Sequence, residues 1–477
     1  MNNKTKIVCT IGPACSSEET LREMMLSGMN IARFNMSHGT HASHQELIDR
    51  VKKVRFELGL PVSIMIDTKG PEIRIKQFKN GKIHLVEHQD FALTTENVVG
   101  DDTIVSVTYD KFPKIIKKGT RILLNDGLIE LVADKVTDKV VYTKVVAGGD
   151  LSNNKSINLP SVELNMEYLS DTDKRDLAFG VEQQAEVFSI SFVNHAKDVE
   201  DVRNYLKSLG DNDAFIIAKV ESAKGVENLD EIIEAADGVM VARGDLGVEI
   251  NFEKLPHVQK VMLEKAKSKG KYSITATQML ESMISNPRPT RAEISDVANA
   301  IFDGTSAIML SGETSAGKYP VQAVQTMRKI ASETEKDIQY GKELGNYPLT
   351  NDVTCGIGYG ACALATSLNA KAILVTTNSG NSAGNISRFR PACDIVALTP
   401  NFEAYNKLGM LWGVTPLLDK VHYDTDALLK SARLRAKQAK LVSDGDLVIQ
   451  TAGIMTGISG SNTLVVAEIS KGDEDNE

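Results

Sequence analysis

Cysteine is scarce in this chain: Cys9, Cys15, Cys355, Cys362 and Cys393 are all there is in 477 residues. The number is odd and no two stand in a CxxC spacing, which argues against a disulfide framework and a zinc module and fits a reducing compartment. Long apolar runs are missing too. None approaches the ~20 residues of a membrane-spanning helix. The opening MNNKTKIVCTIG holds too short an apolar stretch for a secretory signal, so a cytoplasmic location is expected. Positive charge is not concentrated anywhere. The net charge is −9 and the 54 lysines and arginines are dispersed, so nothing in the global balance invites nucleic acid or an anionic membrane. Any anionic ligand must be held by positive charge assembled locally. Biased sequence is confined to the acidic tail GDEDNE, which is expected to fray.

What is present is enough for a large core. With 42% hydrophobic and 25% charged residues, a chain of this length should divide into two or three domains. Eight short apolar or β-branched runs alternate with helical patterns: KIVCTIG, MNIARFN, VSIMIDT, EVFSISF, FIIAKVE, VMVARGD, YSITATQ and AIMLSGE. They end near Gly12, Asn35, Thr68, Phe192, Glu221, Asp245, Gln278 and Glu313. Between them, Leu47, Val51, Val54 and Leu58, or Leu229, Ile232, Ile233 and Ala236, recur at the spacing of one helical face. Alternation of this kind predicts parallel strands with crossover helices, and eight units predict a (β/α)8 TIM barrel, with an open flavodoxin-like sheet as the weaker alternative.

One connection is many times too long for a loop. After IDTKGPEIR the pattern resumes only near Ser170, so residues 71–169 are expected to form an inserted domain. Its alternating segments RIKQFKNGKIHLVE and NDGLIELVADKVTDKVVYTKVVAGG, with Asn/Asp-Gly turns, predict a small β-barrel acting as a lid. The barrel then comprises residues 1–70 and 170–344. A small-residue helix near CGIGYGACALATSL and strands AILVTT, DIVALTP, DLVIQTA and TLVVAEI predict a C-terminal α/β domain over 345–477.

In such barrels the chemistry sits where strands end. Here those ends carry Arg33, Asn35 and Ser37; Asp67 and Thr68; Ser191; Lys219 and Glu221; Arg243 and Asp245; Thr277; and Glu313. Glu221 and Asp245, on neighbouring strands, would repel each other unless a cation lay between them. Two carboxylates with substrate oxygens suit magnesium, although each could instead pair with a lysine or arginine. Lys219 ends an apolar strand, where burial is expensive without an anion. On the strand alone it could bind a phosphoryl group, form a Schiff base or belong to a structural ion pair.

The stretches TKIVCTIGPA, GMNIARFNMSHGTH, IDTKGPEIR, IAKVES, VARGDLGVE, ATQMLESM, NPRPTRAE and IMLSGETSAGKYP resemble pyruvate kinase, in that family's order and across nearly the whole chain. The resemblance implies phosphoryl transfer from phosphoenolpyruvate to ADP, giving pyruvate and ATP, in a homotetramer with a C-terminal regulatory domain. It implies that Glu221 and Asp245 hold Mg2+ (or Mn2+) and that Lys219 neutralises charge on the moving phosphoryl. The turn Arg243–Gly244–Asp245 would grip the substrate carboxylate, with Thr277 beside it and near the carbon that takes a proton. Asn35, His38, Arg74 and Lys155 would serve the nucleotide, and Arg33 the phosphoryl group or its substrate. Asn35, Ser37, Asp67 and the Thr68 carbonyl would hold K+, an oxygen set better matched to a weakly hydrated monovalent ion than to magnesium. Potassium-dependent members are similar in carrying glutamate in TKGPE, here Glu72, where independent members place a lysine; Ile75 departs from the threonine common in the dependent type.

Two further departures are Asn194, where an arginine is common, and Asn125, in place of the first of an aspartate pair. TTNSGNS, residues 376–382, resembles the family's sugar-phosphate effector turn and nominates Thr377, Ser379, Gly380, Asn381 and Ser382. The segment TAGIMTGISGSN, residues 451–462, lacks the aromatic found in many effector loops. Other conspicuous residues have structural readings. His38, His41 and His44 fit a turn entering a helix, Met279 and Met283 a core-facing helical stripe, and Thr290 with Glu293 a capping box. Two rival functions remain: a pyruvate aldolase or lyase on the same barrel, and a non-catalytic sensor.

Overall fold

The computed structural model describes residues 3–160, 162, 166–340, 344, 352–453 and 460–470. Eight strands, Lys6–Thr10, Ile31–Asn35, Ser63–Asp67, Val187–Ile190, Phe215–Val220, Gly238–Ala242, Tyr272–Ala276 and Ala307–Leu310, close into a parallel barrel in sequence order. The first pairs with the last, Lys6 opposite Ala307. Alternation along each strand sorts the side chains between two cores. Val8, Ile31, Met65, Val187, Ile217, Met240, Ile274 and Met309 fill the barrel. Ile7, Cys9, Ala32, Phe34 and their equivalents face the helices.

The open-sheet alternative is therefore set aside. Strands end zero to three residues before the expected positions, because the polar residues that follow start turns and short helices; Arg243 and Asp245 belong to the helix Arg243–Glu249. On the helix His41–Leu58, the fully buried positions are Ile48, Val51 and Val54, while Leu47 is only partly covered. Met279 and Met283 are buried as expected, but not along an α-helix: Met283 lies in the 3-10 turn Glu281–Ile284 and Met279 precedes it. Thr290 and Glu293 form the expected capping box of the helix Arg291–Phe302.

Between the third and fourth barrel strands lies a β-structure with its own core, including Ile73, Phe91, Val105, Phe112, Leu124 and Leu131. Seven strands form one sheet, with Ile73–Arg74 at one edge and Ile104–Ser106 at the other. A bridge from Ile75 to Val107 joins those edges, so the sheet curls closed. The turn Asn125–Asp126–Gly127 runs through positive φ at all three residues (53°, 57° and 80°), the backbone that Asn, Asp and Gly tolerate best. Gly127 rests on the barrel: a Cβ there would stand 3.3 Å from Val248.

The C-terminal unit is a five-stranded sheet, ordered Val414–Leu418, Asp394–Thr399, Ala372–Thr376, Leu447–Ala452 and Thr463–Glu468, with only the last strand antiparallel. The helix Val353–Ser367 packs against it. The expected boundary at residue 345, most of the loop within 451–462 and the acidic tail lie outside the described residues. Against the barrel's N-terminal face this unit forms a seal. The Tyr272 hydroxyl donates to the Met410 carbonyl at 2.7 Å, Ser63 to Asn406 at 2.8 Å and Lys6 to Val414 at 2.8 Å. The opposite face, where strands end, is left to the inserted unit.

Candidate active site

Asp67, fully buried at the end of the third strand, anchors the site. Arg33 Nε donates to its Oδ2 at 2.6 Å and Lys219 Nζ to its Oδ1 at 3.1 Å. Arg33 Nη1 also donates to Thr10 Oγ1 at 2.8 Å. Burial would push the Asp67 pKa up, but these two cations hold it below the usual carboxylate range. Lys219 donates further to Ser191 Oγ at 2.6 Å and pairs with Glu221 Oε1 at 2.9 Å. Burial disfavours its charge, and Asp67 and Glu221 outweigh burial, so its pKa rises. A Schiff-base lysine needs the reverse shift.

Glu221 also accepts from the Phe192 N–H at 2.7 Å. Burial pushes its pKa up to about 7, Lys219 opposes the shift, and Asp245 adds to it. Asp245 is raised as well, by burial, against Lys219 and with Glu72, Asp126 and Glu249 contributing. Two carboxylates whose burial disfavours ionisation, with Asp245 raising Glu221 further, form a donor set that a hard divalent cation would relieve. The Glu221–Asp245 pair thus fits a metal by the chemistry of its oxygens.

Beside them, Thr277 has φ 69° and Gln278 φ 53°, left-handed values that cost energy in a β-branched residue. Phe192 shares the feature with φ 55°. Thr277 Oγ1 accepts from the Gly244 N–H at 2.9 Å and donates to the Ala276 carbonyl at 2.6 Å. The Arg243 guanidinium does not turn to the site: it binds Asp296 through Nη1 at 2.7 and 2.8 Å and reaches the carbonyls of Ala276 and Thr277 at 3.2 Å. Its side chain braces the strained turn. A Cβ at Gly244 would stand 3.8 Å from Thr277, at van der Waals contact with the side chain whose hydroxyl the Gly244 N–H already meets.

On the other side, Asn35 stands opposite Asp67 in the strand register and its Oδ1 accepts from the Ser37 N–H at 3.1 Å. The Thr68 carbonyl accepts from Ser191 Oγ at 2.7 Å. His38 is held below the usual imidazole pKa by partial desolvation and by the nearby charges of Arg74 and Arg33. Arg74 Nε binds Glu72 Oε2 at 2.8 Å and its Nη1 the Asn154 carbonyl at 2.8 Å. Lys155 follows, fixed through its carbonyl, which accepts from Ile75 N–H at 2.9 Å. Asn194 accepts from the Ser222 hydroxyl and Asn125 reaches the Asp150 carbonyl at 3.4 Å, so both departures have local partners. The histidines diverge, His41 to Asp176 at 2.6 Å and His44 to the His38 carbonyl at 2.7 Å.

Thr377, Ser379, Gly380, Asn381 and Ser382 lie elsewhere, in the C-terminal unit. Thr377, Ser379 and Ser382 line a pocket of about 710 Å3. Gly380, at φ 92°, donates to Thr377 Oγ1 at 3.0 Å, and Ser382 meets Ser461 at 2.8 Å.

Sequence reasoning missed the link that Ser191 makes between Lys219 and Thr68, the place of Glu72 among the acids, and the brace from Asp296. In the sequence Ser191 is a strand-end residue without an assigned partner, and Glu72 bears only on potassium.

A buried Lys219 flanked by Asp67 and Glu221 at the mouth of a parallel barrel, with Arg33 and a third carboxylate, Asp245, beside it, suits a phosphotransferase of the barrel class. The family model for the pyruvate kinase barrel domain matches residues 2–324, and that for the pyruvate kinase alpha/beta domain residues 356–467. Similar curated proteins include a pyruvate kinase of Sporosarcina psychrophila, 45% identical over 97% of this chain and 80% of its own. Another, from Staphylococcus saprophyticus, is 44% identical over 98% of this chain and 82% of its own. A third, from Clostridium acetobutylicum, is 43% identical over 98% and 99%. The chain belongs to the pyruvate kinase family, whose reaction carries the phosphoryl group of phosphoenolpyruvate to ADP, the ATP-yielding last step of glycolysis. That family uses a divalent metal and potassium.

Proposed function

We propose that this chain performs that reaction with Lys219, Glu221, Asp245 and Thr277 as its working groups. The observation that carries the reading is the single cluster in which a protonated Lys219 lies between Asp67 and Glu221, with Asp245 close enough to raise the pKa of Glu221. Bound by Glu221 and Asp245, magnesium would supply positive charge to the phosphoryl group and to the enolate oxygen. Lys219 and Arg33 add fixed positive charge where the bond to the enol oxygen breaks. The turn at Arg243–Asp245 and the Thr277 hydroxyl orient the substrate carboxylate, and Thr277 lies beside the carbon to be protonated. Asn35, His38, Arg74 and Lys155 hold the nucleotide. Arg74 and Lys155 belong to the inserted unit, residues 71–169, which acts as a lid over barrel segments 1–70 and 170–344 and excludes water when closed.

Asn35, Ser37, Asp67 and Thr68 hold potassium. Glu72 bears on this reading by its charge: it is an acid already paired to Arg74 at 2.8 Å and adds no cation of its own, so the positive charge has to be imported. The 345–477 unit is regulatory, binding a sugar phosphate at the Thr377–Ser382 turn, and the protein works as a cytoplasmic homotetramer. No helix among the described residues is long and apolar enough to cross a membrane. The aldolase reading is disfavoured in its Schiff-base form by the raised pKa of Lys219, and in its metal-enolate form because it has no need of the insert or of Arg33, Arg74 and Lys155; the sensor reading is disfavoured by the intact set Lys219, Glu221, Asp245 and Thr277.

The test is a coupled assay of pyruvate formation from phosphoenolpyruvate and ADP, with and without magnesium, and with sodium and potassium replaced by tetramethylammonium at constant ionic strength. Activity should need both ions. Full activity in tetramethylammonium would reject the potassium site, and no activity with all components present would reject the function.

A further inference from the structure

On the barrel's N-terminal side, away from the active site, a cleft of about 450 Å3 separates barrel and C-terminal unit. Among the described residues, six cationic side chains line it, Arg203, Lys267, Lys271, Arg388, Arg390 and Lys407, against two carboxylates, Asp213 and Asp237. Arg203 takes Asp237 at 2.9 Å. Three of the other cations are met by neutral groups. Lys271 Nζ donates to the carbonyls of Glu234 and Ala236 at 3.0 and 2.7 Å, and Lys407 Nζ to the carbonyl of Asp213 at 2.9 Å. Among the described residues, Arg388 makes two long polar contacts, to the Lys269 carbonyl at 3.5 Å and the Cys355 sulfur at 3.9 Å, and its buried Nε meets no hydrogen-bond acceptor.

A carbonyl satisfies a donor without cancelling its charge. The lining therefore keeps a formal excess of four positive charges, concentrated in a concavity of a chain whose net charge is −9. Burial holds the Lys271 pKa down, and Arg203 and Arg388 push it the same way against Asp237 and Glu234. The arrangement is also built. Gly270 has φ +67°, and a Cβ there would stand 2.3 Å from Arg388 Nε, so a side chain at 270 would displace the guanidinium. Phe215 adds an apolar wall, with Lys407 Nζ 5.6 Å from its ring centre. The volume lies in the range of small-molecule sites.

We propose that this cleft binds a small phosphorylated anion, held by Lys271 of the barrel and by Arg388 and Lys407 of the C-terminal unit. The cleft is a different cavity from the one that Thr377 and Ser382 line, although Ser379 borders both and Gly380 and Asn381 of the same turn border this cleft. Its ligand would join the two units by neutralising charge that each presents to the other.

The probe is inorganic pyrophosphate, titrated calorimetrically into the full chain in metal-free buffer. Affinity should fall at least tenfold in the double variant Arg388→Gln/Lys407→Gln. It should fall at least threefold in Asn385→Asp, which places a carboxylate in the lining and decides the matter alone if the double variant does not fold. Ser382→Asp, in the neighbouring pocket, should leave affinity within twofold. Absence of binding, unchanged affinity in Asn385→Asp, or loss in Ser382→Asp alone would each overturn the site.

Discussion

Lys219 illustrates how much one side chain can carry. In the proposed reaction its ammonium would act on charge that moves during transfer, so Lys219→Met should lower turnover at least about a hundredfold, on the order of 3 kcal/mol, with little change in the KM for phosphoenolpyruvate. Steady-state kinetics checks this. The same change leaves Glu221 buried without its cation, so the melting temperature should also fall. Lys219→Arg should recover the melting temperature more than the turnover, because a planar fork keeps the charge but not its position. Glu221 carries a pH prediction. Its pKa, pushed up to about 7 by burial, lies above the ordinary glutamate value of 4.5. Such a group contributes stability that is complete below the unfolded value and is lost as pH rises through the folded one. Metal-free protein should therefore melt progressively lower from about pH 5 to about pH 8, magnesium should reverse the loss, and Glu221→Gln should flatten the profile. Lys219, Glu221 and Asp245 were legible in the sequence because each interrupts an apolar strand pattern at its end. Asp296 was not, because it lies 53 positions from Arg243 on a helix whose pattern says nothing of what its polar face meets.

At the scale of elements, the turn after the third strand is the most constrained. Gly70 has φ +71°, and a Cβ there would come within 2.8 Å of the Ser191 carbonyl oxygen and 2.9 Å of its Cβ. Its N–H donates to Asp173 Oδ1 at 2.9 Å. Gly70→Ala should therefore displace Ser191, loosen the Lys219 contact and lower turnover about tenfold or more; thermal melts and kinetics together measure both effects. The left-handed backbone at Thr277 is held in place by Arg243, which Asp296 fixes in turn. Asp296→Asn should raise the KM for phosphoenolpyruvate several-fold while leaving magnesium affinity within twofold, since the pair touches Thr277, the proposed carboxylate side of the site, and not the acids. The barrel strands were readable from period and length. The strand Val414–Leu418 was not, because Pro416 reads as a strand breaker; it is tolerated there because the strand lies at the sheet's edge.

In the whole molecule, three units divide the work by position: the barrel carries the acids and Lys219, the insert reaches over its mouth, and the C-terminal unit closes its base. Replacing residues 73–158 by a short glycine-serine linker should leave a barrel with native circular dichroism but no transfer activity, because Arg74 and Lys155 leave with the insert. The insert could be recognised from sequence by length and alternation. Its seat on the barrel could not, because that seat is made by single contacts such as Gly127 on Val248 and Asn158 on Glu249 at 3.1 Å. The insert begins and ends on paired strands, Ile73 opposite Ile157 and Arg74 opposite Ser156. This geometry bears on the order in which the chain folds. Thr68 and Ser191 meet across 123 positions, and closing a flexible loop of that length costs about 4 kcal/mol in chain entropy. Once the insert has folded, its paired ends act as a clamp that reduces the flexible span to a few tens of residues and the cost by about 1 kcal/mol. Mutations that slow the insert's own folding should therefore delay closure of the barrel, even where they touch no barrel residue.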